Sequence, residues 1–250
     1  MSDAFSSRQI RSLVTEEHSL KLSIETAEVP QPGPDEIVVK IEAAPINPSD
    51  LALLFGPADM ASATFSERDG EPEVEAPILP KLAGMVAARQ GESMLVGNEA
   101  AGVVVAAGES DAAQALLGKT VAIAGGDMFQ QYRCVHSMMA IPMGEDVTAR
   151  EAASSFVNPM TALGMVETMR DEGFTALVHT AAASNLGQML NRICIADGVD
   201  LVNIVRKPEQ VEILREIGAK YVVDSSAEDF EEQLTAAIIE TKAYMAFDAT

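Results

Sequence analysis

Residues 175–206 read TALVHTAAASNLGQMLNRICIADGVDLVNIVR, and this stretch decides the fold. It begins with a short apolar run of strand length, Ala176–His179, followed by residues with almost no side-chain bulk. Apolar side chains then recur at helical spacing, which predicts a helix that opens at Asn185 and ends at 197–198. The apolar run 199–205 predicts a second buried strand. Such a strand–helix–strand unit is the half-module of a dinucleotide-binding sheet.

The turn between the first strand and the helix has the properties of a phosphate-binding loop. A helix that opens at Asn185 presents unpaired backbone N–H groups and the positive end of its dipole, which suits a pyrophosphate. Ala183 and Ser184 are small enough for a phosphate to approach, and Gly187 allows the helix to pack near the strand. The G-x-G-x-x-G fingerprint is absent, so an ordinary turn of a parallel sheet stays an alternative.

Two adjacent cations, Arg206 and Lys207, follow the second strand. An acidic residue at this position would bind the ribose hydroxyls of NAD, whereas a cation accommodates the 2′-phosphate of NADP. The alternative is a solvated strand end. In a chain this acidic, two neighbouring cations favour the phosphate, so the sequence predicts NADP(H) as the cofactor.

Composition excludes several classes of partner. The 250-residue chain has a formal net charge of −21, and its lysines and arginines are scattered, which argues against binding to nucleic acid or to an anionic membrane. Cys134 and Cys194 are the only cysteines and suggest no disulfide framework. There is no apolar run of signal-peptide or membrane-spanning type, so the cytoplasm is the expected compartment.

Periodicity divides the chain into a β-rich first part and an alternating second part. Short strands are predicted at 36–42, 100–107, 120–124 and 129–136, which is typical of a barrel or sandwich. The acidic, proline-containing stretch 56–95 interrupts them, and two interpretations stay open: a surface excursion, or a loop that covers a substrate site. After residue 146 a helix is predicted to start with Asn158 as its N-cap and Pro159 in its first turn. Helices at 208–217 and 228–240 alternate with strands at 221–224 and 243–247, which predicts a parallel, doubly wound sheet.

With these elements in order, the chain resembles the medium-chain dehydrogenase/reductase superfamily, in its zinc-free branch of quinone oxidoreductases and 2-enoyl thioester reductases. The resemblance implies an α/β fold with a GroES-like β-barrel domain at 1–150 and a partial, Rossmann-type parallel-sheet domain at 151–250. The motifs that carry it are AAPINPSD at 43–50, GNEAAGVVV at 97–105, VNPMTA at 157–162 and NIVR at 203–206.

The resemblance also implies roles for individual residues. Asn47 would line the nicotinamide pocket, although it could simply be a turn residue before Pro48. Thr161 would contact the nicotinamide end of the cofactor, although its hydroxyl could instead satisfy its own helix. The residues expected to hold the rest of the cofactor are Ala183, Ser184, Asn185 and Leu186 at the pyrophosphate and Arg206 and Lys207 at the 2′-phosphate.

Two departures from the family pattern bear on the chemistry. The zinc-dependent members bind the metal through a cysteine near the position of Pro48 or Ser49 and a histidine where this chain has Asn98, so no metal is expected here. Enoyl reductases of this type also carry a proton-donating tyrosine shortly after the motif at 43–50, and this chain has none there. Asp50 or a water could donate the proton, which leaves quinones and other activated enones open as substrates.

The predicted function is therefore the NADPH-dependent reduction of a small-molecule quinone or activated double bond, without zinc. The family continues through two further strands beyond the position of Phe247, so the chain is expected to be C-terminally truncated and, by itself, unstable or prone to aggregate. With the whole fold present, the resemblance implies a homodimer. The alternative is a pseudoenzyme, or an inactive fragment, that binds NADPH without turnover.

Overall fold

The computed structural model describes residues 5–249, which divide into two compact units, Met1–Val157 and Asn158–Thr250. None of the helices in the described part of the chain combines the length and apolar character needed to cross a membrane.

The first unit is built from two antiparallel five-stranded sheets. One has the order β4-β5-β2-β1-β6 and the other β10-β8-β7-β3-β9. The chain just before β9 links them, because Gln9 of β1 forms an isolated bridge with Gln130. The strands are β1 Ser6–Val14, β2 Ser19–Glu28, β3 Glu36–Ala43, β4 Thr64–Arg68, β5 Glu71–Pro77, β6 Ser93–Leu95, β7 Glu99–Ala107, β8 Thr120–Ala124, β9 Tyr132–His136 and β10 Ala140–Pro142.

Four short helices connect these strands: α1 Pro48–Leu54, α2 Ala83–Val86, α3 Asp111–Gln114 and α4 Ala149–Ala152. The core of the second sheet contains Ile37, Val39, Val104 and Ile123, all of them buried. These side chains occupy alternate positions along their strands and therefore share one face. Val38, Ala101 and Ala122 at the intervening positions are buried as well, so both faces of this sheet are covered.

The second unit contains a parallel four-stranded sheet with the order β13-β12-β11-β14. The chain therefore reverses its direction of winding at β11, with β12 on one side and β14 on the other. A reversal of this kind leaves a crevice at the carboxyl ends of the strands, where ligands of open α/β sheets bind. The elements are α5 Val157–Asp171, β11 Ala176–His179, α6 Asn185–Asp197, β12 Asp200–Val205, α7 Pro208–Glu216, β13 Tyr221–Asp224, α8 Phe230–Thr241 and β14 Met245–Phe247.

The predicted unit at 175–206 is present with its boundaries nearly unchanged. Ser184 is the N-cap of α6, and its Oγ accepts a hydrogen bond from the N–H of Gly187 at 3.1 Å. Gly198 ends the helix in the left-handed conformation, with φ of 66°, which glycine adopts without steric cost. Local signals therefore fix both ends of this helix.

The stretch 56–95 is not a single loop, although part of it, including the fully exposed β4, lies on the surface. It forms β4, β5, α2 and β6, and β5 pairs with β2 inside the first sheet. The prolines that obscured the pattern, Pro72 and Pro77, lie near the two ends of β5, where a missing N–H is best tolerated. Between them the strand alternates charged and apolar residues with the period of a sheet.

The helix predicted to start at Asn158 begins one residue earlier, at Val157. Asn158 therefore lies inside the first turn and is not the N-cap. Pro159 keeps its predicted place in the first turn, where its missing N–H would have had no partner in the helix.

Gly102 marks a contact on which the second sheet depends. A Cβ atom placed there would lie 1.9 Å from the carbonyl oxygen of Lys40, because β3 bulges toward β7 at this point. We expect Gly102→Ala to lower the free energy of unfolding by about 1–3 kcal/mol, since the added methyl group displaces backbone that cannot move freely. Urea denaturation measures this value.

Gly84→Ala is the matched control, because nothing lies within 4 Å of a Cβ at that position and Gly84 is in a helix. Its expected effect is neutral or slightly stabilising. Equal stabilities for the two variants would contradict the close approach of β3 and β7.

Candidate nucleotide and substrate site

The turn after β11 brings a helix N-terminus close to the sheet. A Cβ at Gly187 would lie 2.1 Å from the carbonyl oxygen of Ala182, so only glycine permits this approach. Ala181 adopts a left-handed φ of 49° at the bend, a conformation that is uncommon for a residue with a side chain. Close packing of the backbone therefore determines the conformation of this turn, and side-chain bulk does not.

The start of α6 offers donors for an anion. Asn185 and Leu186 are the first two helical residues, and their N–H groups have no acceptor within the helix. The N–H of Gly187 is already bonded to Ser184 Oγ. The Leu186 side chain packs against the core of the unit, so this residue can offer a ligand its backbone but little of its side chain.

The predicted cations lie at the same edge of the sheet as this turn. The N–H of Ala182 donates to the carbonyl oxygen of Ile204 at 3.2 Å, which ties the turn to the end of β12. Arg206 and Lys207 follow directly and are exposed, and neither side chain forms a salt bridge with any residue in 5–249. The Arg206 N–H donates to Gln210 Oε1 at 3.0 Å, which fixes the backbone where the side chain begins.

A buried amide pair holds the helix on the sheet. Asn191 and Asn203 are almost fully buried, and their side chains exchange hydrogen bonds of 2.6 and 3.1 Å. Asn191 also donates to the carbonyl oxygen of Gly187 at 3.0 Å, and Asn203 donates to that of Tyr221. Sequence reasoning missed this pair, although Asn203 begins the NIVR motif. The contact connects the first turn of α6 to both β12 and β13.

His179 is a second residue whose position the sequence did not reveal. It ends β11, in register with Asn203 on one side and Phe247 on the other, so it lies at the point where the sheet reverses. Its side chain is fully buried, and neither ring nitrogen has a hydrogen-bond partner within the described chain. Burial lowers the pKa of His179, and the nearby Phe247 carbonyl and Asp248 carboxylate only partly oppose this shift.

In the first unit, Asn47 and Asp50 are hydrogen-bonded to each other and buried. Asp50 Oδ2 accepts the N–H of Asn47 at 2.7 Å, at the start of α1, whereas Oδ1 has no partner among the described residues. The exposed fractions are 4% for Asn47 and 1% for Asp50. The Asp50 side chain therefore fixes the start of the helix by accepting the Asn47 backbone N–H. Thr161, in contrast, is exposed on α5.

Glu99 connects Asn47 to Phe156 and Val157 at the end of the first unit, a role that the motif GNEAAG did not reveal. One of its carboxylate oxygens accepts the Asn47 side-chain amide at 2.9 Å. The other accepts the backbone N–H groups of Phe156 and Val157 at 2.9 and 3.0 Å. Glu99 is 1% exposed. A buried carboxylate with three donors is well compensated, and its charge suits a helix N-terminus.

The positions where zinc-dependent relatives would carry metal ligands are adjacent here. Asn98 Nδ2 donates to Ser49 Oγ at 3.0 Å, so an amide and a hydroxyl face each other. Zinc sites in proteins are built from cysteine, histidine and carboxylate ligands. Across residues 5–249, no group of three or more histidine, cysteine, aspartate or glutamate side chains is arranged to hold a metal ion.

Comparisons with known proteins show which proteins this chain is similar to. The chain is 29% identical over 232 residues to the mitochondrial enoyl-[acyl-carrier-protein] reductase of Xenopus tropicalis, which covers 88% of this chain and 57% of the relative. It is 26% identical over 217 residues to the synaptic vesicle membrane protein VAT-1 homolog of Rattus norvegicus, covering 86% of the chain and 46% of the relative. The chain thus spans about half the length of these curated relatives. No family model matches it.

Among solved structures, the whole chain superimposes on 69% of a provisionally assigned NADPH:quinone reductase from Mesorhizobium loti, with a TM-score of 0.71 and 26% identity. The predicted resemblance to the quinone and enoyl reductase branch of the medium-chain dehydrogenase/reductase superfamily is confirmed. The fold of this superfamily, a GroES-like domain followed by a Rossmann-type sheet, is the predicted fold class.

His179 gives the second unit a pH-dependent stability. Because burial lowers its pKa below the ordinary value of 6.5, the unfolded chain binds the imidazole proton more readily than the folded chain. The free energy of unfolding is therefore not reduced by His179 above pH 6.5. It decreases as the pH falls from 6.5 toward the pKa of His179 in the folded chain. We expect His179→Leu to lose less free energy of unfolding between pH 7.5 and pH 5.5 than the native chain, measured by urea denaturation at both pH values.

His18→Asn is the control for this prediction, because His18 is exposed and leaves its imidazole hydrated on folding. It should keep the pH dependence of the native chain. If His179→Leu kept the same dependence as well, the buried imidazole would have no part in it.

Proposed function

We propose that this chain binds NADP(H) on its second unit and takes part in the reduction of a quinone or an activated carbon–carbon double bond, without a metal. One observation carries the proposal: a glycine-dependent helix start follows β11, where the parallel sheet reverses, and two cations without a described salt bridge follow the adjacent strand β12 at the same edge. Sheets of this order bind dinucleotides at this edge. The provisionally assigned NADPH:quinone reductase from Mesorhizobium loti provides a structural precedent.

The residues at this edge fit the phosphorylated end of the cofactor. The N–H groups of Asn185 and Leu186 would bind the pyrophosphate, with Ala183 and Ser184 providing room for its approach. The remaining pair, Arg206 and Lys207, would bind the 2′-phosphate. A guanidinium and an ammonium that form no salt bridge are available for such charge-assisted hydrogen bonds.

NADPH, when bound, supplies a hydride. The protein would hold the cofactor and the substrate in position and would exclude water from the reacting groups. Thr161 would contact the nicotinamide end from α5. Asn47 and Asp50 would contribute by fixing the position of α1, since both are buried and hydrogen-bonded. A water molecule would then donate the proton. The amide–hydroxyl pair of Asn98 and Ser49 supports a reaction without zinc, because neither group is a typical zinc ligand.

The experiment that tests this function mixes the protein with NADPH and a panel of quinones, enals and enoyl thioesters. Loss of NADPH absorbance with at least one substrate is the expected result. NADPH should be consumed equally well after treatment with a metal chelator. No consumption across the panel, with a folded protein, would overturn the proposal.

A second candidate, a protein that binds NADPH without turnover, is favoured by the burial of Asn47 and Asp50. These residues offer a substrate no accessible proton donor. An increase in melting temperature with NADPH, together with no turnover of any substrate in the panel, would select this candidate.

The cofactor preference can be tested apart from turnover. We expect Arg206→Asp to weaken NADPH binding by at least about tenfold, equivalent to about 1.4 kcal/mol, and to change NADH binding little. The reason is that the introduced carboxylate repels the 2′-phosphate, which NADH lacks. Isothermal titration calorimetry with both nucleotides gives the two affinities.

Arg192→Asp is the matched control, because it makes the same charge change on the exposed surface of α6. It should affect NADPH and NADH equally and weakly. Equal losses of the two nucleotides in Arg206→Asp would remove Arg206 from the 2′-phosphate site.

A further inference from the structure

The sheet formed by β5, β2 and β1 has two chemically different faces. On one face apolar residues oppose each other, with Ile10 in register with Ile24 and Leu22 in register with Val74. On the other face Lys21 lies 3.0 Å from Glu73 in a salt bridge. This division follows from the two-residue period of the strands.

The apolar face is covered at one end and open at the other. At the covered end Val14, Leu20 and Ile78 pack with Val86 of α2 in a buried cluster. At the open end Ile10, Leu22, Ile24 and Val74 are only half-buried, and they line a cavity of about 520 Å³. A volume of this size lies in the range of small-molecule sites, roughly 300–1,000 Å³.

The opposite wall of this cavity comes from the segment that leads into α1. Leu54 and Phe55 contribute from the end of the helix, and Ala44 and Ile46 from the chain before it. Ile46 is 68% exposed and Phe55 is 37% exposed. Large apolar side chains are thus presented to solvent at the cavity, next to the segment that Asn47 and Glu99 hold in place.

The cavity offers nothing to a charged ligand. Among the described residues that line it none is charged, and Ser23 provides the single side-chain hydroxyl. In the adjoining polar pocket Arg68 lies 3.8 Å from Asp69, and Glu71 is paired with Arg8. Among the described residues that line this pocket, Arg68 is the one cation, and the carboxylates are Glu25, Asp69, Glu71 and Glu73. Phosphate recognition requires available arginine or lysine side chains, and the chain as a whole carries a net charge of −21.

We propose that this cavity binds the apolar tail or ring of a neutral electrophile, and that it discriminates against substrates whose reactive group is carried on an anionic phosphopantetheine thioester. The assignment of the occupant as a substrate rests on the proposed reductase function. The apolar and uncharged character of the occupant is inferred from the uncharged lining, the paired cations nearby and the overall negative charge of the chain. This negative charge repels anions over a long range at low salt.

The first experiment measures binding without cofactor, so that it does not depend on turnover. Decyl methyl ketone and dodecanoate have similar chains and differ in one negative charge. Calorimetric titration of the whole protein should show saturable ketone binding and at least about tenfold weaker dodecanoate binding at low salt. Raising the salt concentration should narrow this difference, because screening weakens the repulsion of the anion alone.

Variants then locate the site. Ile24→Trp fills the cavity and should abolish ketone binding, whereas Ile141→Trp, at a partly exposed apolar residue outside it, should not. Ile46→Lys places a cation at the cavity and should strengthen dodecanoate binding about threefold to fivefold, as an exposed ion pair can. Met138→Lys makes a similar change at an exposed residue elsewhere and should have no effect.

The outcomes separate this inference from the proposed function. In one outcome the native protein binds the ketone, Ile24→Trp abolishes this binding, and no substrate is reduced with NADPH. This outcome supports the neutral apolar site and counts against the reductase function. Turnover of a coenzyme A thioester at least as efficient as that of the matching neutral enone would overturn the inference and leave the reductase standing. Equal binding of ketone and dodecanoate to the native chain would overturn it as well.

A different occupant is also tested. If a second copy covered the cavity, the native protein would be a dimer by light scattering, Ile46→Lys would make it monomeric, and the ketone would not bind. This result would overturn the small-molecule assignment.

Discussion

At the carboxyl edge of the parallel sheet, the position of α6 is set by one contact between backbones, that of Gly187 with the carbonyl of Ala182. Any side chain at Gly187 would push α6 away from β11, because the space is smaller than a methyl group. With glycine, the helix N-terminus and its free N–H groups stay at the carboxyl edge of the sheet. The Asn191 amide then binds the Gly187 carbonyl and ties it through Asn203 to the next strand.

In the first unit a buried carboxylate has the corresponding role. Glu99 accepts hydrogen bonds from Asn47, Phe156 and Val157, so that one side chain joins the start of α1 to the last residues of the first unit. An unpaired carboxylate in this position would be costly, and three hydrogen bonds compensate for its burial. Because α1 forms one wall of the apolar cavity, the same network that occupies Asn47 also shapes the surface beside it.

The distribution of cations separates two kinds of ligand surface. In the first sheet of the first unit, cations are paired with carboxylates, as in Arg8 with Glu71 and Lys21 with Glu73. At the end of β12, Arg206 and Lys207 form no salt bridge with any residue that the structure describes. A strongly acidic chain repels phosphates in general. Under the proposed function, these two cations would provide the favourable place for a phosphorylated ligand, and the cavity would take neutral groups.

Local sequence patterns were sufficient for the strand–helix–strand unit, the start of its helix at Asn185 and the strands at 120–124 and 221–224, because these follow from periodicity and from contacts a few residues apart. They did not reveal the sheet within 56–95, the orphaned His179 or the role of Glu99. Each of these depends on partners far away in the chain, such as the 52 positions between Asn47 and Glu99. The tertiary structure alone decided which polar groups are buried and where an apolar face stays open, because burial results from how distant segments pack and is not encoded in any local pattern.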